Sequence, residues 1–130
     1  MAVRILIAED HPDSMALMCY LLQAHDYRTL SAADGETALA MAREQRPDLI
    51  VCDLQMPGLD GYQVARALKE DENLRHVPLI AVTAFSMLGD RERILAAGFD
   101  GYFSKPIEVE RFVAQLEGYL RPPPGPGGEA

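Results

Sequence analysis

Leu49-Ile50-Val51-Cys52-Asp53, followed by Leu54-Gln55-Met56-Pro57-Gly58, is an apolar run that ends in a lone carboxylate and then turns away. The run is too short for a helix and is closed by Pro-Gly, so it reads as a buried strand with Asp53 at its carboxyl end. Three more segments share this form. Ile5-Leu6-Ile7-Ala8 ends in Glu9-Asp10, Leu79-Ile80-Ala81-Val82 ends in Thr83, and the shorter Tyr102-Phe103 runs into Ser104-Lys105-Pro106. Strand-like segments thus end in acid, acid, hydroxyl and amine.

Between the strands lie helical patterns. Arg4–Ala8 is followed by Pro12–Ala24, where Met15, Met18, Cys19 and Leu22 recur at helical spacing and Pro12 suits the first turn. Tyr27–Ala32 is the next strand. Asp34-Gly35 then marks a turn, and Thr37–Gln45 carries Ala38, Met41 and Ala42 on one face. After Leu49–Asp53, Gly61–Lys69 turns Val64, Ala65 and Leu68 inward. The strand Leu79–Thr83 is followed by a charged helix, Met87–Ala97, stopped by Gly98. Gly101–Ser104 is the last strand, and Glu108–Leu120 carries Val109, Phe112, Val113, Leu116 and Leu120 along one stripe. Strand and helix alternate five times, which predicts a parallel sheet with helices on both faces. In such sheets ligands bind at the carboxyl ends of the strands, where strand order reverses.

The 130 residues suit one domain, expected over residues 1–121. Residues 122–130 hold four Pro and three Gly and almost nothing to bury, so they are expected to form a flexible tail. No apolar run approaches the roughly 20 residues a membrane span needs. The start enters a strand directly, without a secretory signal, so a cytoplasmic location is expected and Met1 beside the first strand favours a whole protein. Twenty acids against twelve Lys and Arg give a net charge of −8. That balance argues against direct binding to nucleic acid or to anionic lipid. Cys19 and Cys52 both lie in apolar patterns and read as small core hydrophobes. His11, His25 and His76 are far apart in sequence and suggest no histidine metal site.

Magnesium prefers hard oxygen ligands, and Glu9, Asp10 and Asp53 at one sheet edge would supply them. Their mutual repulsion would weaken the metal-free site. A carboxylate is also a nucleophile toward phosphorus, and positioned cations and donors then stabilise the charge on the phosphoryl oxygens. Lys105 and the Thr83 hydroxyl suit that task. Pro106 restrains the lysine's backbone, with a cis peptide one option there. Singly, each residue has a plainer reading. Asp53 could be a solvated charge or a cap, Glu9-Asp10 a complement to a helix dipole, and Thr83 a cap for a helix around Ser86–Gly89. Lys105 could be an ordinary exposed lysine, and Tyr102 an edge-strand packing residue. Their joint placement at carboxyl ends, with none at an amino end, favours chemistry.

Glu9-Asp10, Asp53 with Met56-Pro57-Gly58 and Asp60-Gly61, Val82-Thr83-Ala84 and Lys105-Pro106, in that order, resemble the receiver domain of two-component response regulators. The resemblance covers about Val3 to Leu120. It implies a flavodoxin-like fold of five βα units with strand order 2-1-3-4-5 in three layers. It also implies Asp53 as phosphoacceptor, charged by a histidine kinase or a histidine phosphotransfer protein. Mg²⁺, with Mn²⁺ as an alternative, would be held by Asp10, Asp53 and the backbone carbonyl of Gln55, with Glu9 acting largely through water. Thr83 and Lys105 would contact the phosphoryl group, and Tyr102 would be an aromatic switch. Thr83 and Tyr102 are expected to point outward before phosphorylation. A downstream protein would read the face of the fourth helix, fifth strand and fifth helix, near Met87, Leu88, Tyr102 and Lys105. The expected product is a single-domain signalling protein and not an enzyme, monomeric or weakly dimeric, similar to stand-alone cell-cycle regulators or hybrid-kinase receivers. Gln55 and Phe85 occupy the family's variable positions beside the site.

Rival readings are weaker on the residues. A Mg²⁺-dependent phosphohydrolase commonly carries a second acid two residues after the nucleophile, where this chain has Gln55. A flavin module wants a Ser/Thr/Gly-rich phosphate loop after the first strand, where Glu9-Asp10 would repel phosphate. An adaptor with a vestigial site would show no response to Mg²⁺.

Overall fold

The computed structural model describes residues 3–84 and 88–120, with the backbone alone for residues 88–90. The elements are β1 (Arg4–Ala8), α1 (Pro12–Ala24), β2 (Arg28–Ala32), α2 (Gly35–Gln45), β3 (Leu49–Asp53), α3 (Gly61–Glu70), β4 (Leu79–Thr83), α4 (Leu88–Ala96), β5 (Gly101–Ser104) and α5 (Phe112–Leu120). The five strands form one sheet in the order β2-β1-β3-β4-β5, parallel at every pairing. This is the expected doubly wound, flavodoxin-like arrangement.

The continuous apolar strands are explained by two cores, one on each face, because successive side chains point to opposite sides of a strand. Leu6, Ala8, Ile50, Cys52, Leu79 and Ala81 pack against Ala38, Leu39 and Ala42 of α2, Val64, Ala65 and Leu68 of α3, and Ile94 of α4. Ile5, Ile7, Leu49, Val51, Ile80 and Val82 pack against Met18, Leu21 and Leu22 of α1 and Phe112, Val113 and Leu116 of α5. β1, β3 and β4 are therefore buried almost throughout, whereas edge strand β2 alternates more openly.

Several boundaries differ from the periodic reading. β2 begins at Arg28, because the Tyr27 amide is spent on the Leu22 carbonyl at the end of α1. α2 begins at Gly35, two residues early, with Asp34 as its cap: the Asp34 carboxylate accepts from the Thr37 amide at 2.7 Å. In α1, Met15 and Cys19 are only half-buried and Leu21 joins Met18 and Leu22 inside. In α2, Leu39 is buried and Met41 only partly so. The final helix starts at Phe112, not Glu108. A turn closed by the Arg111 amide on the Glu108 carbonyl precedes it, Ile107 takes the core position, and Val109 is left 55% exposed. Ser86, Phe85, Met87, the side chain of Leu88 and residues 121–130 lie outside the described residues.

Candidate functional site

Parallel register decides which residues meet. Ala8 pairs with Cys52, Asp53 with Val82, and Thr83 with Ser104, so Glu9, Asp53, Thr83 and Lys105 emerge along one edge of the sheet. The Lys105 amide donates to the Thr83 carbonyl at 2.8 Å, which carries β-type pairing one residue past β5. The Lys105–Pro106 peptide is cis.

Asp53 is buried at 5% exposure. Its Oδ1 accepts from the Gln55 backbone N–H at 3.1 Å, and its Oδ2 lies 3.1 Å from Lys105 Nζ. Glu9 is buried deeper still. Its Oε2 accepts from the His11 backbone N–H at 3.0 Å and from Lys105 Nζ at 3.2 Å. Its Oε1 also lies 3.2 Å from the ammonium but makes no hydrogen bond. Asp10 is exposed, and one carboxylate oxygen from each of Glu9, Asp10 and Asp53 falls within 4.8 Å of the others.

Charge governs this cluster. Burial and the facing Asp53 carboxylate push the Glu9 carboxyl up from 4.5 to about 7, against the pull of the His11 N–H and Lys105. Burial works against the Lys105 ammonium, but the hydrogen bond and charge of Asp53, with help from Glu9, outweigh it and raise its pKa. Burial, and secondarily the Asp53 and Glu9 charges, push the Cys52 thiol up, so Cys52 is inert packing under the site as its apolar context predicts. Three carboxylates converge where Lys105 pairs with two of them, and Glu9 Oε1 is a buried acceptor without a donor. Both observations fit a divalent cation bound by oxygen.

The sequence-predicted residues separate into two groups. Glu9, Asp10, Asp53 and Lys105 come together, as their positions at strand ends suggest. Lys105 touches the two buried carboxylates directly, so the chain brings its own cation into the acid cluster. Thr83, expected to point outward, is instead buried at 2% exposure, because β4 is flanked by β3 and β5 and its last residue pairs across to Ser104. Tyr102 does face solvent at 37% exposure. The Gln55 residue is exposed and its amide serves Asp53.

Two contributors escape a reading by residue chemistry. The His11 amide acts through backbone only, and its hint is the placement of Pro12 at the start of α1. Gly61 opens α3 against the backbone of the site: a methyl there would sit 2.6 Å from the Asp53 carbonyl oxygen and 2.7 Å from Leu54 Cα. Its hint is the pair Asp60-Gly61 ahead of an apolar helix, where Asp60 and Gln63 form a reciprocal capping box.

Residues 5–117 match the response regulator receiver domain family. The chain belongs to that family. Among curated proteins it is similar to the polar-differentiation response regulator DivK of Brucella anthropi, 47% identical over 116 residues, covering 89% of this chain and 94% of that protein. DivK of Brucella ovis is likewise 47% identical, over 120 residues, covering 92% of this chain and 98% of that protein. Among solved structures, the receiver domain of the sensor histidine kinase PA1611 from Pseudomonas aeruginosa superposes with a TM-score of 0.85 at 37% identity, covering 92% of this chain and 98% of that one. That structure holds a magnesium ion coordinated in its active site cleft. The chemotaxis protein CheY4 of Vibrio cholerae superposes with a TM-score of 0.87 at 25% identity, covering 92% and 99%. The receiver reading from the sequence is thus correct in family and fold, and the DivK relatives agree with the expected likeness to stand-alone regulators. Among the described residues no helix is long and apolar enough to cross a membrane.

Proposed function

We propose that this receiver takes a phosphoryl group from a phosphohistidine onto Asp53 and signals through the change this makes in its protein-binding surface. The observation that carries the proposal is Asp53 itself: a buried carboxylate with one oxygen on a backbone N–H and the other on Lys105. Such a group is held in one orientation and partly desolvated, as an attacking carboxylate should be. An Asp53 oxygen forms the bond to phosphorus as the phosphorus–nitrogen bond to the donor imidazole breaks. The electron pair of that bond stays on the ring nitrogen, which takes up a proton.

Glu9, Asp10 and Asp53, with the Gln55 carbonyl, are the residues that would hold Mg²⁺, Mn²⁺ being an alternative. When bound, the ion supplies neutralising charge to the acid cluster and the phosphoryl oxygens. Lys105, beside Asp53, would donate to one phosphoryl oxygen, and the Thr83 hydroxyl would donate to another. Movement of Thr83 toward the phosphoryl group would let Tyr102 fold inward, repacking α4, β5 and α5 and biasing an equilibrium between two surfaces. The donor would be a histidine kinase or phosphotransfer protein, and the reader a protein docking on the α4–β5–α5 face in the cytoplasm. Residues 1–121 would form the working domain, as a monomer or weak dimer.

The test is phosphorylation by a phosphohistidine protein or a small acyl phosphate, followed by intact mass. The wild-type chain gains one phosphoryl group only with Mg²⁺ present, and Asp53→Asn gains none. Normal labelling of Asp53→Asn would overturn the assignment.

A further inference from the structure

α3 and α4 pack on the same face of the sheet, and a groove of about 450 Å³ lies between them. Tyr62, Arg66, Lys69 and Glu70 line it from α3, and Arg93, Ala96 and Ala97 from α4 and the turn after it. On α3 these positions are spaced i, i+4, i+7 and i+8, one stripe of the helix. The groove shares no residue with the acid cluster or with β5 and α5. In a chain with twenty acids and twelve Lys and Arg, three of the twelve meet here beside a single acid.

Part of this charge has an ordinary use. Lys69 and Arg93 stand in the last turns of their helices, where a cation complements the dipole. Lys69 Nζ also donates to the Arg75 carbonyl at 3.0 Å and lies 4.0 Å from the Asp100 carboxylate. Arg66 has neither use, and among the described residues neither it nor Arg93 pairs with a carboxylate. Arg93 is nonetheless held in place. Its guanidinium lies 4.4 Å from the centre of the Tyr62 ring, and Tyr62 stands edge-on to buried Phe99 with centroids 6.4 Å apart. The stack uses the flat face of the guanidinium and leaves its N–H edges for a planar acceptor. Phosphate sites are normally built from free backbone N–H groups at helix N-termini or nests, and the C-terminal halves of two helices offer none.

We propose that the α3–α4 groove docks an acidic segment of a partner protein, its carboxylates on the guanidiniums of Arg66 and Arg93. Lys69 adds charge behind them, and the small side chains of Ala96 and Ala97 let a peptide backbone approach. The acid excess elsewhere on the chain repels such a segment, so charge selects this groove and sets the orientation. Glu70, the last residue of α3, closes that end to further acid. The docking does not depend on phosphoryl transfer.

A hexaglutamate peptide titrated into the full chain in metal-free buffer, followed by NMR, tests this. The expected result is a shift of the Arg66 and Arg93 Nε–H and Tyr62 ring signals that fades as salt is raised. Arg66→Gln should weaken binding about two- to fivefold, the worth of one exposed ion pair, and Arg66→Glu should abolish it. Arg66 is exposed, so both variants should keep the wild-type amide spectrum away from α3 and α4. Arg93→Lys, which keeps the charge and loses the fork, should also bind more weakly than the wild type. Absence of shifts at Arg66 and Arg93, or undiminished binding by Arg66→Glu, would overturn the proposal. The same shifts from inorganic phosphate at equal concentration would also overturn it, making the groove a phosphate site. Tighter binding of a single-stranded oligonucleotide than of the peptide would do the same.

Discussion

Glu9 shows how one side chain can store the electrostatic tension of a site. Its carboxyl is buried beside another carboxylate, and its pKa lies at about 7 in place of 4.5. The folded state therefore binds more protons than the unfolded chain between those values, and metal-free stability falls as pH rises through that window. The shift corresponds to at most about 3 kcal/mol. Denaturant titrations in chelator at about pH 5 and about pH 8 should show this loss in the wild type, with Glu9→Gln losing much less. Equal losses in both chains would remove Glu9 as the cause. The thiols offer a second residue-scale contrast. Cys52 is buried with its thiol pKa pushed up, whereas Cys19 is half-buried with Sγ 3.5 Å from the Ser31 hydroxyl. Alkylation of the native protein should modify Cys19 and spare Cys52 until the chain unfolds. Early labelling of Cys52, read by peptide mass, would contradict its placement.

At the scale of elements, the start of α3 is where packing and chemistry share atoms. Asp60 accepts from the Gln63 amide at 2.9 Å while the Gln63 side chain accepts from the Asp60 amide. Asp60→Ala should cost about 1 kcal/mol in urea unfolding, the usual loss for a cap. Gly61→Ala is a different kind of change, since the added methyl collides with backbone that no rotamer can move. It should cost about 1–3 kcal/mol and also weaken Mg²⁺ binding, because the displaced backbone carries Asp53. Calorimetric titration with Mg²⁺ separates the two variants: Asp60→Ala keeps near-normal affinity and Gly61→Ala does not. The elements also mark where periodicity misleads. Val109 fits the stripe of the last helix, yet it sits in the turn before Phe112 and faces solvent, because Ile107 has already filled the core position.

For the molecule as a whole, a cation that binds only the folded state adds stability by mass action. Saturation at a hundredfold excess over its dissociation constant is worth about 2.7 kcal/mol. Mg²⁺ should raise the unfolding midpoint of the wild type, and the rise should shrink in Asp10→Asn and Asp53→Asn. Thermal melts with and without chelator measure this, and an equal rise in all three chains would place the ion elsewhere. The strands were legible because a strand covered on both faces needs an unbroken apolar run, and Leu49–Asp53 and Leu79–Thr83 have one. The acid cluster was legible because Glu9, Asp10 and Asp53 stand where such runs stop. The left-out parts were those carried by backbone or by close approach, as with the His11 amide and Gly61.

What the sequence determined by itself was local: which segments pair as strands, which end of each carries chemistry, and the kind of chemistry those ends offer. Hydrophobic pattern and residue type are enough for that. Only the tertiary structure placed Lys105 on Glu9 and Asp53, across separations of 96 and 52 residues. Only it buried Thr83 and raised the Glu9 pKa. Those outcomes depend on strand order and register, which set distances between segments, and on burial, which sets the cost of charge. Neither quantity belongs to any one stretch of the chain.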